Sequence, residues 1–193
     1  MPQPTSSALP QPFIGVRMRE NRTPAGRRTS TPAKRAALYF AFGRDKQAQV
    51  EGRQRGEWLG PDGRIQSHEQ VMAWARQEAL SHRYTFEAIL SVPQGKLPPE
   101  AFCRAMRQGG AISDWRLMAH RDTRHRHAHV LFFRDKRLDK QTFLSWQTKV
   151  RTELTRLEQQ QLDGRTAHQE LELDADGSTR LSLAKSQGVS LGW

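Results

Sequence analysis

The sequence predicts an α+β domain, a mainly antiparallel sheet flanked by helices. Three observations carry this. Short stretches of alternating apolar residues are separated by segments with helical periodicity. Two of the alternating stretches, Trp115–His120 and His127–Phe133, lie a short charged turn apart, which dictates antiparallel pairing. The 193 residues are enough for one buried core.

Residues 1–34 read as a basic, disordered arm. Pro2, Pro4, Pro10, Pro12, Pro24 and Pro32 interrupt it, and Arg17, Arg19, Arg22, Arg27, Arg28 and Lys34 face a single acid, Glu20. The folded domain is placed at 35–163. Its first expected element is a strand, Ala36–Phe42, closed by Gly43. A polar, Gly-rich stretch follows to Gln66, with a turn signal at Pro61-Asp62-Gly63. Ser67 and Gln70 have capping-box spacing, and Val71, Trp74, Ala75 and Ala79 continue at helical intervals. Tyr84–Val92 alternates as a strand. Pro98 and Pro99 open a helix carrying Phe102, Ala105 and Met106, which Gly109-Gly110 stops. The two strands Trp115–His120 and His127–Phe133 come next. Asp139 then starts the longest helix, with Phe143, Trp146, Val150, Leu154 and Leu157 on one stripe. Residues 164–193 read as a tail, or as a small hairpin pairing Glu170–Leu173 with Arg180–Leu183 around Asp176-Gly177.

Charge narrows the partners. The formal net charge is +11, with 31 Lys and Arg against 20 Asp and Glu. Such a surplus suits a polyanion, and nucleic acid is the commonest. No apolar run approaches the roughly 20 residues of a spanning helix, and no signal-peptide pattern is seen. The single Cys103 excludes an intramolecular disulfide and a cysteine-rich zinc module. A cytoplasmic protein is expected.

Four of the seven histidines fall within His120–His129. On a strand, residues i and i+2 share a face, so His127 and His129 project together. A hairpin would return His120 from the preceding strand to complete three imidazoles. A polar surface strand and a structural zinc site are the competing readings, but the latter usually wants four protein ligands. The open three-histidine site is preferred, because it leaves positions for water or substrate. Asp122 and His125 lie in the connecting turn, where a carboxylate can fix an imidazole tautomer and a histidine can carry a proton. Of the tryptophans, Trp74 and Trp146 belong to apolar helix stripes, whereas Trp58, in the Gly-rich stretch, is the candidate for contact with nucleic acid.

A metal site on a basic chain points to phosphodiester chemistry and hence to a nucleophile. There are two tyrosines, Tyr39 and Tyr84. The order Ala37-Leu38-Tyr39-Phe40, then Ile89-Leu90-Ser91-Val92, then His120-Arg-Asp-Thr-x3-His127-x-His129-Val130 resembles the relaxases of plasmid mobilisation and conjugation. These belong to the HUH (histidine, hydrophobic, histidine) endonucleases, whose sheet is of the RRM or ferredoxin-like kind. The similarity spans about residues 36–160. Two positions depart from the family: Arg124 stands where a second acid is frequent, and Phe133 where an asparagine is usual. Rolling-circle replication initiators share the histidine motif, but their tyrosine follows it, and no tyrosine follows it here.

The resemblance implies a nick in single-stranded or extruded DNA at an origin of transfer. It implies Tyr39 as the nucleophile, a 5′-phosphotyrosyl link and resealing by the free 3′-hydroxyl. Ser91 would hold a phosphate, and His120, His127 and His129 would hold a divalent metal. The family implies Mg²⁺ or Mn²⁺, whereas three imidazoles alone favour Zn²⁺ or another late transition metal; Mn²⁺ meets both arguments. Arg17, Arg19, Arg27, Arg28 and Lys34 of the arm, Arg35 just after it, and Arg124 and Arg126 of the turn are the expected phosphate contacts. Accessory origin-binding proteins and a transfer coupling protein are implied by the family alone. A non-catalytic DNA-binding module, a rolling-circle or transposase-type nuclease, and a nuclease using water are the alternatives.

Overall fold

The computed structural model describes residues 10–94, 96–120 and 126–185, with side chains to residue 164. Six strands form one antiparallel sheet: β1 (Phe13–Glu20), β2 (Trp58–Leu59), β3 (Ile65–Gln66), β4 (Tyr84–Ser91), β5 (Arg116–His120) and β6 (His127–Arg134). Their spatial order is β1-β4-β6-β5-β2-β3. Five helices accompany them: α1 (Thr31–Phe42), α2 (Lys46–Glu51), α3 (His68–Ser81), α4 (Pro99–Gly109) and α5 (Lys140–Lys185). The α+β architecture therefore agrees with the sequence expectation.

The alternation of side chains divides the core. One sheet face carries Ile14, Phe86, Ala88, Leu90, Ala128, Val130, Phe132 and Leu117 against α4 and α5. The opposite face packs Met118, Leu131 and Trp58 under Ala33, Ala36, Ala37 and Phe40 of α1 and Val71, Ala75 and Ala79 of α3. The α4–α5 crossing is close because Gly109 lacks a side chain. A Cβ there would lie 2.7 Å from the Trp146 ring and 2.8 Å from Val150. Gly110 then ends α4 in the left-handed region, with φ 73°.

Several expected elements are present. The Ser67/Gln70 capping box forms, with Gln70 N–H on Ser67 Oγ and Ser67 N–H on Gln70 Oε1. Asp139 caps α5 by accepting from Thr142 N–H at 2.8 Å. Val92 lies just beyond the end of β4, and Trp146 is fully buried under the sheet. Trp74, expected in the core, is half-buried; its indole donates to Asp114 and stacks under the Arg116 guanidinium.

Four expectations are corrected. Ala36–Phe42 is helix, because Ser30-Thr31-Pro32 starts a turn and Ala33, Ala36, Ala37, Phe40 and Ala41 recur at helical spacing on the buried side. The basic arm is not disordered between Phe13 and Glu20. Ile14, Val16 and Met18 alternate with Gly15, Arg17 and Arg19, and this half-apolar strand pairs with β4 along its whole length. A bridge between Arg22 and Arg28 continues the order toward α1. The stretch 44–66 holds α2 and the β2–β3 hairpin around the expected turn, closed by Gly63 N–H on the Gly60 carbonyl at 2.9 Å. Finally, α5 continues to Lys185, so residues 170–183 are helical rather than a hairpin.

Replacing Gly109 with alanine should force α4 and α5 apart. We expect Gly109→Ala to lose about 1–3 kcal/mol, the usual cost of overpacking, read as a lower urea midpoint at unchanged m-value.

Candidate metal centre and basic cleft

The antiparallel register builds the centre directly. His120 on β5 lies opposite His127 on β6, and His129 lies opposite Met118 on β5 and Ile89 on β4. Odd-numbered β6 residues share the face that carries α1, so the three imidazoles converge beneath that helix. Each offers a ring nitrogen, and these atoms all lie within 4.8 Å of one another.

His120 is fully buried, and its Nε2 lies 2.7 Å from the carbonyl oxygen of Phe40. Nε2–H must donate in this contact, because a carbonyl only accepts, so Nδ1 keeps its lone pair. That carbonyl belongs to the last turn of α1, where backbone acceptors have no intrahelical partner. His120 Nδ1 in turn lies 3.0 Å from His127 Nε2. Two metal–nitrogen bonds of ~2.1 Å at about 90–109° place their nitrogens roughly 3.0–3.4 Å apart, so this pair has a ligand-like separation.

His129 is stacked on the Phe40 ring, with centroids 4.5 Å apart. Burial, then the neighbouring His120, His127 and Arg55, pushes its pKa down from 6.5 to about 3. The ring is therefore neutral at physiological pH and presents a lone pair. The donor set fits a divalent metal that accepts nitrogen ligands. The described residues add no carboxylate to the cluster.

Beside the histidines lies a cleft of about 950 Å³, floored by Gly15, Ala88 and Ile89 and walled by α1. Arg17, Arg19, Arg22, Arg35 and Arg44 line it, together with Tyr39 and His129. Glu87 is its one acid among the lining residues, and Arg19 Nε donates to it at 3.0 Å. Tyr39 is 45% exposed, and its ring centroid stands 6.1 Å from that of His129. A second basic pocket shares Tyr39 and Arg44 and adds Arg53 and Arg55.

Half of the expected site residues meet here. The three histidines, Tyr39, Arg17, Arg19 and Arg35 gather around the cleft. Ser91 stands opposite His127 on the same sheet face, half-buried. Tyr84 is buried on the opposite face, where it packs with Phe86, so the structure separates it from the cluster. Lys34, Arg27, Arg28 and Arg126 do not line the cleft. Arg27 and Arg28 are exposed in the loop before α1, and Arg126 receives Val92 N–H on its backbone carbonyl. Asp122, Arg124 and His125 lie outside the described residues.

Trp58 is corrected. It is 0% exposed, packs beside Phe40, and its indole donates to His68 Nδ1, so it supports the centre from within and cannot contact a strand of DNA. Arg44 and Arg55 were not among the expected site residues; Arg44 stands just past Gly43, which ends α1, whereas Arg55 lies beyond α2 and carries no local signal. Comparison with family models, with curated proteins and with solved structures found no match.

Two outcomes follow. In chelated protein, His129 has a folded-state pKa below its ordinary 6.5, so its stabilising effect is complete above pH 6.5 and is lost as pH falls toward 3. Urea titrations at pH 7 and pH 4.5 should show a smaller stability gap for His129→Gln than for the unsubstituted chain. Adding Mn²⁺ or Zn²⁺ at pH 7.5 should raise the melting temperature by ligand linkage, and His127→Ala should abolish the rise.

Proposed function

We propose that the protein is a metal-dependent DNA strand transferase of the relaxase type. On this reading it nicks single-stranded or extruded DNA at an origin of transfer and reseals it. One observation carries the reading: an accessible tyrosine, Tyr39, stands beside three convergent imidazoles at the mouth of an arginine-lined cleft. A cationic cleft holds a phosphodiester backbone, and a phenol adjacent to a metal centre is placed for attack on phosphorus.

In this mechanism, Arg17, Arg22, Arg35 and Arg44 hold the backbone in the cleft. The Tyr39 oxygen forms a bond to the scissile phosphorus, and the bond from phosphorus to the 3′-oxygen breaks. The phenol proton leaves to a base, and the departing 3′-oxygen takes up a proton. The product is a 5′-phosphotyrosyl link with a free 3′-hydroxyl, and reversal reseals the strand without ATP. A Mn²⁺ or Mg²⁺ ion held by His120, His127 and His129 would supply Lewis-acid polarisation of a non-bridging phosphate oxygen. The Phe40 carbonyl holds His120 in the tautomer whose Nδ1 lone pair would face such an ion. Asp122 and His125 are proposed for the proton, and Ser91 for a hydrogen bond to phosphate. Accessory origin-binding proteins and a coupling protein are the partners this reading implies.

Incubation with single-stranded plasmid-origin oligonucleotides and Mn²⁺, resolved on a denaturing gel, should give a protein–DNA adduct carrying the fragment downstream of the nick, joined through its new 5′-phosphate, and should release the upstream fragment with a free 3′-hydroxyl. Tyr39→Phe should abolish it, and His127→Ala should reduce it at least 10²-fold, in keeping with the size of oxyanion-type stabilisation. Cleavage that persists in Tyr39→Phe without any adduct would mean that water is the nucleophile.

A further inference from the structure

The sheet face that carries the histidines is covered only in part. Helices α1 and α3 pack over β6, β5 and β2, but the β1–β4 half lies open as the cleft floor. At the end of that floor Phe13 is 61% exposed, unusual for an aromatic on an ordered strand. Its place follows from register. Phe13 pairs with Ser91, Ser91 with His127, and His127 with His120, giving one row across four strands on a single face. Neighbouring strands stand ~4.8 Å apart, so Phe13 and His127 are separated by about 10 Å, the span of one to two nucleotides of an extended strand.

The Phe13 ring does not stand away from the sheet. A Cβ on Gly15 would come within 3.0 Å of Phe13 Cζ and 3.1 Å of its Cε1, and 3.2 Å of Ile89 Cγ2. The ring thus lies along the floor, over the one position of β1 that has no side chain. Laid down in this way, it leaves one face to solvent. Arg17 and Arg19 follow on the same side of β1, and Arg22, Arg35 and Arg44 line the cleft beyond. An aromatic face beside a row of guanidinium groups matches the alternation of bases and phosphates in a single strand; a duplex keeps its base faces stacked inside.

We propose that Phe13, bedded on Gly15, is a base-stacking platform that binds single-stranded DNA and sets the nucleotide next to the phosphate presented to the histidines. This rests on the DNA-nicking reading for its single-stranded ligand and adds the residue that grips the strand. A side chain at Gly15 would press on the ring where it lies, a β-branched one most.

The test uses the full chain, metal-free, with fluorescein-labelled oligo(dT) and a mixed-sequence duplex of equal length, followed by anisotropy across a salt series. Phe13→Ala should weaken single-strand binding about tenfold or more while leaving the salt slope and duplex binding unchanged. Phe13→Trp should retain affinity. Gly15→Val, which keeps the phenyl ring but displaces it, should weaken binding as Phe13→Ala does. Equal single-strand affinity for Phe13→Ala and the parent chain would overturn the platform and leave the nicking reading standing. Absence of binding to either DNA by the parent chain would overturn both. Equal losses for single strand and duplex would also overturn the platform, since they would report a contact common to both DNAs or a lost fold rather than stacking. Circular dichroism of each variant separates that loss from unfolding.

Discussion

The contact between the buried His120 imidazole and the Phe40 carbonyl ties the site to the fold. It joins the last turn of α1 to the end of β5, two segments 80 residues apart in the chain. Burial makes the bond obligatory from both sides: an unpaired ring N–H or an orphan helix carbonyl there would carry a desolvation penalty of about 1–3 kcal/mol. The same bond sets the tautomer, so Nδ1 turns toward His127 rather than into the helix. Because Phe40 also stacks on His129, one residue of α1 orients two of the three imidazoles. Tyr39, its neighbour in the chain, is thereby brought out at the rim of the same cluster. The histidine cluster and the phenol are thus coupled through backbone, not through a chance meeting of side chains.

Around that contact the sheet divides its labour. The face under α4 and α5 is apolar except at the end where Glu20 and Arg134 flank Tyr84, and it holds the larger core cluster, with Phe86 stacked on Phe132 and Trp146 packed against Gly109. That leaves the other face free to carry polar groups where α1 does not reach. Arg19 and Glu87 pair there on the open floor, an exposed contact of small worth to stability, and the remaining guanidinium groups concentrate positive potential in the cleft. A cleft with low-dielectric walls and one sign of charge attracts a polyanion at a distance and holds it by replacing its counterions.

The legible parts of the sequence were those with a strong local period or cap. Ser67 and Gln70, the Pro98-Pro99 and Gly109-Gly110 pair, and the alternation of His127 and His129 each fix a local geometry whatever the rest of the chain does. The hairpin of β5 and β6 then makes the three-histidine centre a matter of register. Ala36–Phe42 was harder, because a short apolar run fits strand and helix alike; its alanines and the preceding Thr31-Pro32 decide for helix. β1 was hidden by composition. Its arginines and flanking prolines resemble an unfolded arm, yet Ile14, Val16 and Met18 need only β4 beside them to bury one side. The burial of Trp58 depends on Phe40 and His68 arriving from elsewhere, which no local pattern records.

The placement of β1 changes what the basic N-terminal segment contributes. As a free arm, its arginines would bind phosphates wherever they found them and would say nothing about geometry. Paired with β4 in fixed register, Arg17 and Arg19 instead hold a set distance from His127, and the cleft acquires a direction that runs from β1 toward Tyr39. Conformational entropy is already lost on folding of the strand, so less remains to be lost when a ligand binds. The edge position of β1 costs little here, because its charged and glycine residues discourage pairing with another sheet. An edge strand that is half core and half cationic floor is thus what lets one small sheet both fold and keep its histidine-bearing face open.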